Sequence, residues 1–344
     1  PEVEEVSPDF WKVHLQKAIH EILLALTRRA PTIIFLDDLH WADPSSIDLL
    51  RSIIAEFRYN AIFLCVYRPP FSIFSSNVAD GMRKMYQEIP LQDLSPSETQ
   101  NMVQSLLGTK NIPLELRTFV QEKVEGNPFY LEEVINNLIE SDSLSNENGT
   151  WTLSRPISEL GVSSTIKGII SARLDRLKKE TKRILQESSV IGRSFLYEIL
   201  KKITAHRDRL ESCIEKLKMF DLIRMKSLQP DLEYYFKHAL TQEVTYNSIL
   251  KKERKEIHEY IGLVIEELFQ DRLGEFFETL SFHFRRGKSL HKAVDYLMQS
   301  GRKSLKRYAV EESHQYYKEA YDILTQNTCK TAEEKRLMIE LLNT

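Results

Sequence analysis

The chain has 344 residues, 42% of them hydrophobic and 28% charged, with a formal net charge of −3. This is the balance of an ordinary globular protein, and it argues against a dedicated nucleic-acid binder or a partner for anionic membranes. Cys65, Cys213 and Cys329 are far apart and match no metal-ligand spacing, which points to a reducing, cytoplasmic setting, and no apolar run approaches the roughly 18 residues needed to cross a bilayer.

Phe10, Trp11, Val13, Leu15, Ile19, Leu23 and Leu24 mark an amphipathic helix over 9–28. Next comes Pro31-Thr32-Ile33-Ile34-Phe35-Leu36-Asp37-Asp38, whose apolar run predicts a fully buried parallel strand over 32–37. Open α/β sheets place ligands at the carboxyl ends of their strands, and here that end carries Asp37 and Asp38. In P-loop nucleotide hydrolases an aspartate in this position holds Mg²⁺ against the phosphates, and a neighbouring acid orients the attacking water. The segment therefore reads as a Walker-B strand. The plain alternative is a buried strand followed by a capped helix. That accounts for Asp43, just before Pro44, but not for Asp37 and Asp38.

A helix over 45–58 follows, with Ile47, Leu50, Ile53, Ile54 and Phe57 on one face, and then a second buried strand over 61–67 ending at Arg68-Pro69-Pro70. Strand, helix and strand with short connections make a βαβ unit of a parallel sheet. Residues 71–85 read as loop, 86–91 as a weaker strand, and Leu94-Ser95-Pro96-Ser97-Glu98 as a capped helix start. Two or three helices fill 96–140, and the polar stretch Ser141 to Gly149 reads as an exposed loop.

From Ser163 onward the spacing predicts helices, with Ile166, Ile169, Ile170, Leu174 and Leu177 in one stripe and Ile184, Leu185 and Val190 in the next. A helix over 208–220 and strands over 222–226 and 232–237 complete a winged-helix pattern, helices closed by a two-stranded ribbon. Beyond Thr241 everything reads as helix. Segments joined at Gly287 and Gly301, with Ala293/Tyr296 and Ala320/Tyr317 as small and aromatic pairs, are similar to the opening of a tetratricopeptide-like solenoid.

A phosphate-cradling loop, G-x-x-x-x-G-K-[ST], is missing from these residues. Gly287-Lys288-Ser289 has Phe282 where the first glycine should stand and reads as a helix-connecting turn. The chain starts at Pro1 without an initiator methionine and runs at once into the helix that feeds the strand. The expectation is a fragment of a longer protein with its phosphate loop upstream. Half a parallel sheet would leave an open edge and an uncovered apolar face.

Three stretches carry a resemblance, in order: IIFLDDLHWADPSSIDL from Ile33 to Leu49, GNPFYLEE from Gly126 to Glu133, and FKHALTQEVTY from Phe236 to Tyr246. Together they resemble the signal-transducing ATPases with numerous domains, the STAND branch of the AAA-like P-loop fold. The match is closest to the ATPase segment behind class III adenylate/guanylate cyclase domains.

The resemblance implies an α/β region followed by all-α structure: the C-terminal part of a P-loop NTPase core over 1–93, a helical lid over 94–145, a winged-helix domain over 146–250 and tetratricopeptide-like helices over 251–344. It implies ATP/ADP and Mg²⁺ as cofactors. Asp37 would hold Mg²⁺ through water, Asp38 would polarise the attacking water, and Arg68 would sense the γ-phosphate. Pro128 would pack against the adenine, Gly126 would permit a close approach, and His238 would contact an ADP phosphate.

Plainer roles stay open: a surface ion pair for Arg68, a turn between helices for Gly126-Asn127-Pro128, a structural hydrogen bond for His238. Glu243 and Tyr246 read as packing a junction. The implied function is an ATP/ADP-switched module regulating a fused output domain, a nucleotide cyclase foremost, with an ATPase site completed elsewhere. Its C-terminal repeats would bind a protein partner or effector, and a ligand-dependent homo-oligomer is compatible with it. The alternatives are a helical-repeat scaffold with a degenerate nucleotide site, and a winged-helix transcription regulator. Against the latter, Lys251-Lys252-Glu253-Arg254-Lys255-Glu256 and His206-Arg207-Asp208-Arg209 mix signs, and Glu211 and Glu215 dilute the face that would meet DNA.

Overall fold

The computed structural model describes residues 8–56, 60–74, 85–147, 149–155, 163, 165–307, 309–326 and 332–342. The chain divides into two compact units, one of Pro1–Ile89, Gly274–Arg285 and Ser289–Thr344, the other of Pro90–Leu273 and Arg286–Lys288.

The first unit opens with α1 (Pro8–Arg29), β1 (Thr32–Leu36), α2 (Pro44–Glu56) and β2 (Ala61–Cys65). The strands pair in parallel, Thr32 opposite Ala61 and Leu36 opposite Cys65, with α2 as the crossover that parallel pairing requires. Ile47, Leu50 and Ile54 of α2 pack on Leu36, Leu39, Cys65 and Tyr67, together with Ile73 and Phe74. The opposite face of the sheet is open. The cross-strand pairs Ile33/Ile62 and Phe35/Leu64 lie 46–66% exposed. The strands thus bury one face, where the sequence pattern predicts two. Val13, Leu15, Ile22 and Leu26 of α1 are exposed as well. No strand forms over 86–91: Ile89 and Leu91 are exposed, and Pro90 has no amide to offer a ladder.

In the second unit α3 (Pro96–Leu107) begins with the expected capping box. The Ser95 amide donates to Glu98 Oε2 at 2.8 Å, and Ser95 Oγ accepts from the Glu98 amide. Helices α4 (Leu114–Lys123) and α5 (Pro128–Glu140) follow, then an antiparallel hairpin of β3 (Leu144–Glu147) and β4 (Thr150–Leu153). The hairpin replaces the exposed loop expected over 141–149. Leu144 is 1% exposed in a core with Val103, Leu107, Leu116, Leu131 and Val134, and Trp151 Nε1 donates to the Leu107 carbonyl at 2.9 Å. Of the polar stretch that suggested a loop, Ser143 is buried, Ser145 half-buried, and Asn146 and Glu147 exposed near the hairpin turn.

Next come α6 (Ile166–Arg176), α7 (Lys179–Ile191), β5 (Ser194–Leu196), α8 (Tyr197–Ile203), α9 (Leu210–Met219), β6 (Ile223–Ser227) and β7 (Glu233–Phe236). The last three strands form one antiparallel sheet in the order β5-β7-β6. It has three strands where the sequence pattern gives two. Phe195 and Phe236 are buried within it. Helices α10 (Ala239–Asn247) and α11 (Lys251–Leu268) finish this stretch.

The chain ends in α12 (Phe277–Arg286), α13 (Leu290–Lys306), α14 (Val310–Gln326) and α15 (Ala332–Leu342). Val294, Leu297 and Met298 of α13 form a core with Ala320, Leu324, Leu337 and Leu341. Gly287-Lys288-Ser289 is the helix-connecting turn expected of it. Gly301 is not a joint. It lies inside α13, where a Cβ would come within 2.8 Å of the Tyr317 ring; the glycine lets α14 approach, and Ser313 Oγ donates to its carbonyl at 2.8 Å.

Candidate functional site

The candidate residues gather at two places. The first is the carboxyl edge of β1 and β2. Beyond the last strand pairs, the Val66 amide donates to the Leu36 carbonyl at 2.8 Å and the Leu39 amide to the Val66 carbonyl at 3.0 Å. The backbone thus loops around the two acids while staying tied to β2. Asp38 sits at φ 55°, ψ 34°, a left-handed conformation that Asp and Asn tolerate better than most residues. Its amide donates to Asp37 Oδ1 at 2.8 Å. Asp37 is exposed and Asp38 half-buried. Arg68, three residues past β2, is exposed too. Parallel, in-register strands deliver Asp37, Asp38 and Arg68 to the same edge.

Asp43 is a helix cap: its two carboxylate oxygens accept from the Ser46 amide at 2.8 Å and the Ser46 hydroxyl at 2.7 Å. Burial works to raise its pKa, but the Ser46 bonds outweigh that and hold it below the usual carboxylate value. Among the described residues no group of three or more His, Cys, Asp or Glu side chains could hold a metal ion. Mg²⁺ bound with a nucleotide asks for less, one or two carboxylates with water and phosphate oxygens completing the octahedron. An exposed Asp37 beside Asp38 fits that requirement.

The second place is in the other unit, where α5 meets the end of β7. Gly126 (φ 75°) and Glu125 (φ 51°) turn the chain into α5. A Cβ on Gly126 would lie 2.3 Å from the Leu94 carbonyl oxygen, and the Leu94 amide donates to the Gly126 carbonyl at 2.8 Å. Asn127 caps α5 by accepting from the Tyr130 amide at 3.0 Å, and exposed Pro128 takes the first helical position. Gly126-Asn127-Pro128 is therefore a helix start, whatever else it does. Phe129 lies against the His238 ring, centroids 4.0 Å apart, which brings Pro128 and His238 into one neighbourhood.

Glu132 and Glu133 are successive on α5, about 100° apart around the helix, and serve different partners. Glu132 Oε1 accepts from Lys237 Nζ at 2.5 Å, and Lys237 also donates to Asp221 Oδ2 at 2.5 Å. Asp221 is further held by Arg224. Glu133 accepts from Arg173 Nη1 at 2.7 Å, and Arg173 also donates to Glu140 and to the Phe220 carbonyl. Both Glu133 and Arg173 are 4% exposed.

Burial, then the Lys237 charge, push the His238 pKa below its ordinary value, with Glu132 and Asp221 opposing, so the imidazole is neutral at neutral pH. Its Nε2 has no hydrogen-bond partner. Farther along the motif, Glu243 forms an exposed pair with Lys167 at 2.7 Å. The Tyr246 hydroxyl meets His258 Nε2 at 2.9 Å, and burial, with nearby Arg286 and Arg254, pushes that histidine down to about 4. Tyr246 thus meets α11, while Glu243 is held by α6. Two cations near the α9 face are paired as well, Arg209 with Glu180 and Lys218 with Glu215.

Phe129, Glu132, Lys237 and Arg173 escaped the sequence reading as site residues. The first three lie inside the quoted motifs, so the motif positions themselves were the signal.

A model for a domain of unknown function, DUF8739, matches residues 95–151, which run from the cap of α3 into the hairpin. The chain is 25% identical over 333 residues to the uncharacterized protein R02095 of Rhizobium meliloti (strain 1021), covering 94% of this chain and 31% of that protein. It is 24% identical over 310 residues to mouse adenylate cyclase type 10, with 74% of this chain and 19% of the cyclase covered. Among solved structures, a Signal Transduction ATPase with Numerous Domains (STAND) protein with a tetratricopeptide repeat sensor, from Pyrococcus horikoshii, matches with a TM-score of 0.51 at 15% identity. The match covers 98% of this chain and 52% of that one. At that identity the likeness is one of fold: α/β structure followed by helices, as in a STAND protein. The chain spans less than a third of the length of the curated relatives it matches. No described helix is long and apolar enough to cross a membrane.

Proposed function

We propose that the chain belongs to a STAND-type ATPase, and that ATP or ADP in its site switches an output domain in the same protein, a nucleotide cyclase foremost. The observation that carries this reading is the pair of acids at the carboxyl edge of a parallel β1–β2 pair, with Asp38 in a left-handed turn and Arg68 on the same edge. Mg²⁺, when bound with nucleotide, would supply charge neutralisation between the phosphates. Asp37 would hold it through water, Asp38 would take up a proton from the attacking water, and Arg68 would face the γ-phosphate.

The open face of Ile33, Phe35, Ile62 and Leu64 supports a sheet whose second face is covered by sequence outside these 344 residues. That is where the reading puts the phosphate loop. The helix–helix–strand–helix–helix–hairpin order from α6 to β7 supports a winged helix, and α12 to α15 support tetratricopeptide-like repeats that bind a protein partner or effector. The paired cations around α9 favour a nucleotide clamp over a DNA-reading surface.

The test is Asp38→Asn in the full-length protein. Asparagine also tolerates the left-handed turn, so the fold is spared. ATP hydrolysis falls by about 100-fold or more, while nucleotide stays bound. Turnover equal to wild type removes the role of Asp38. Absence of nucleotide binding in the wild type gives the lead to a helical-repeat scaffold with a degenerate site.

A further inference from the structure

We propose that the α3–α5 bundle and the segment from α6 to β7 form one rigid body, fastened by Arg173 and Lys237, so that the boundary expected between residues 145 and 146 is not a hinge. The body exists whatever the β1–β2 edge binds. Domains of one chain move against each other by default, unless a large apolar interface joins them. Here α6 is the joint. Ile169, Arg173 and Arg176 follow one another at the spacing of a single helix face, and so do Glu133, Asn137 and Glu140 on α5. The two stripes meet. Arg173 grips Glu140 with Nε at 2.9 Å and Nη2 at 2.5 Å, and gives Nη1 to Glu133 at 2.7 Å. Arg176 donates to both the carbonyl and the side chain of Asn137, each at 3.1 Å. Beside these bonds Ile169 is buried in one core with Leu131, Val134, Ile135 and Leu138 of α5.

The other side of α6 is covered too. Ile170 and Leu174 lie about 100° further round the helix and are buried, although they are not part of that core. α6 also packs on α10, where Lys167 meets Glu243 at 2.7 Å. A seam between α5 and α6 would part Ile169 from its core and pull the Arg173 fork off two carboxylates, a bidentate grip that is both strong and directional. A seam beyond α6 would cut different ties. Arg173 Nη2 also donates to the Phe220 carbonyl at 2.9 Å, at the end of α9. Lys237, at the end of β7, joins Glu132 of α5 to Asp221, each at 2.5 Å. The Phe129 ring of α5 lies 4.0 Å from that of His238. Each cation thus holds α5 and the segment after α6 at once, and neither seam opens without losing both an apolar contact and a buried ion pair. A signal that passes through this unit therefore moves it whole.

The experiment uses the full-length protein with nitroxide labels on p-acetylphenylalanine introduced at Thr118 of α4 and Glu211 of α9, both exposed, which leaves the native cysteines alone. Pulsed electron paramagnetic resonance then reads the distance between the labels without nucleotide, with ADP and with a non-hydrolysable ATP analogue. One narrow distance is expected, constant to within about 1 Å across the three conditions, as in partners that keep their backbone on binding. Two populations without nucleotide, or a shift of more than about 2 Å on adding either nucleotide, overturns the rigid body. Arg173→Lys keeps the charge but loses the planar fork, so in that variant the distribution broadens. An equally narrow distribution in Arg173→Lys overturns the role given to Arg173 as the fastening.

Discussion

The two places where motif residues gather hold their polar groups in opposite ways. At the β1–β2 edge Asp37 is exposed and accepts from the Asp38 amide, and Arg68 is exposed on the same edge. Around α5, Arg173 is buried and donates to two carboxylates and a carbonyl, and Lys237 bridges two acids. A group left in water costs the fold little and can meet a ligand, whereas a buried one must be satisfied by the protein itself. Motif density is similar in both, but its meaning differs. Lost activity after a substitution at the edge reports on chemistry; at α5 it reports on the fold as well.

The sharpest way to break that contrast is Arg173→Ala. It strands Glu133 in the interior, and breaking a buried pair in this way costs about 3–5 kcal/mol, measurable by urea unfolding. The pH dependence has a definite sign. Burial already pushes the Glu133 carboxyl up, with Arg173 opposing. Without the guanidinium the folded value rises further above the unfolded one, so the native state binds a proton that the unfolded state has lost. Stability of the variant then falls as pH climbs from the unfolded carboxylate value toward the raised folded one, and levels off above it. A loss under about 1 kcal/mol, or one independent of pH, would mean that Arg173 is not the buried clamp its contacts describe.

Gly126→Ala comes next. The positive φ and the 2.3 Å approach to the Leu94 carbonyl both oppose a side chain, and the expected loss is about 1–3 kcal/mol in unfolding experiments. Wild-type stability in this variant would show that the approach of Leu94 to the start of α5 is not fixed. It would also return Gly126 to a ligand-contact role alone.

Local chemistry was legible in the sequence, and long-range packing was not. The Ser95/Glu98 capping box is decided within four residues, so the local sequence announces it, whereas Gly126-Asn127-Pro128 reads as a turn and its Asn127 cap came with the structure. The strands β1 and β2 are continuous apolar runs and announce themselves too. By contrast β5 has three residues and exists because Phe195 pairs opposite Tyr234 on β7, far along the chain. Gly301 reads as a break because glycine weakens helices, yet Tyr317 on another helix decides that it stays helical. The same holds at the candidate site. The Glu132-Glu133 pair was visible as a motif, but only the packing of α5 tells which acid meets Lys237 and which meets Arg173.

The smallest effect sharpens the comparison most finely, because it separates two acids that both lie in quoted motifs. Glu243 accepts from Lys167 at 2.7 Å, but the side chains are 50% and 62% exposed. Solvent screens such a pair, and ordering two long side chains offsets much of the attraction. Glu243→Gln should therefore cost under about 1 kcal/mol, and added salt should shrink even that. Glu133 has a similar formal role, an acid facing an arginine or lysine on α6, yet it is buried and its pair is not screened. If Glu243→Gln cost as much as Arg173→Ala in the same unfolding experiment, exposure would not be what separates the two acids. A small loss in stability together with a large loss of nucleotide-dependent output would place Glu243, with Asp38, among the residues the motif keeps for function.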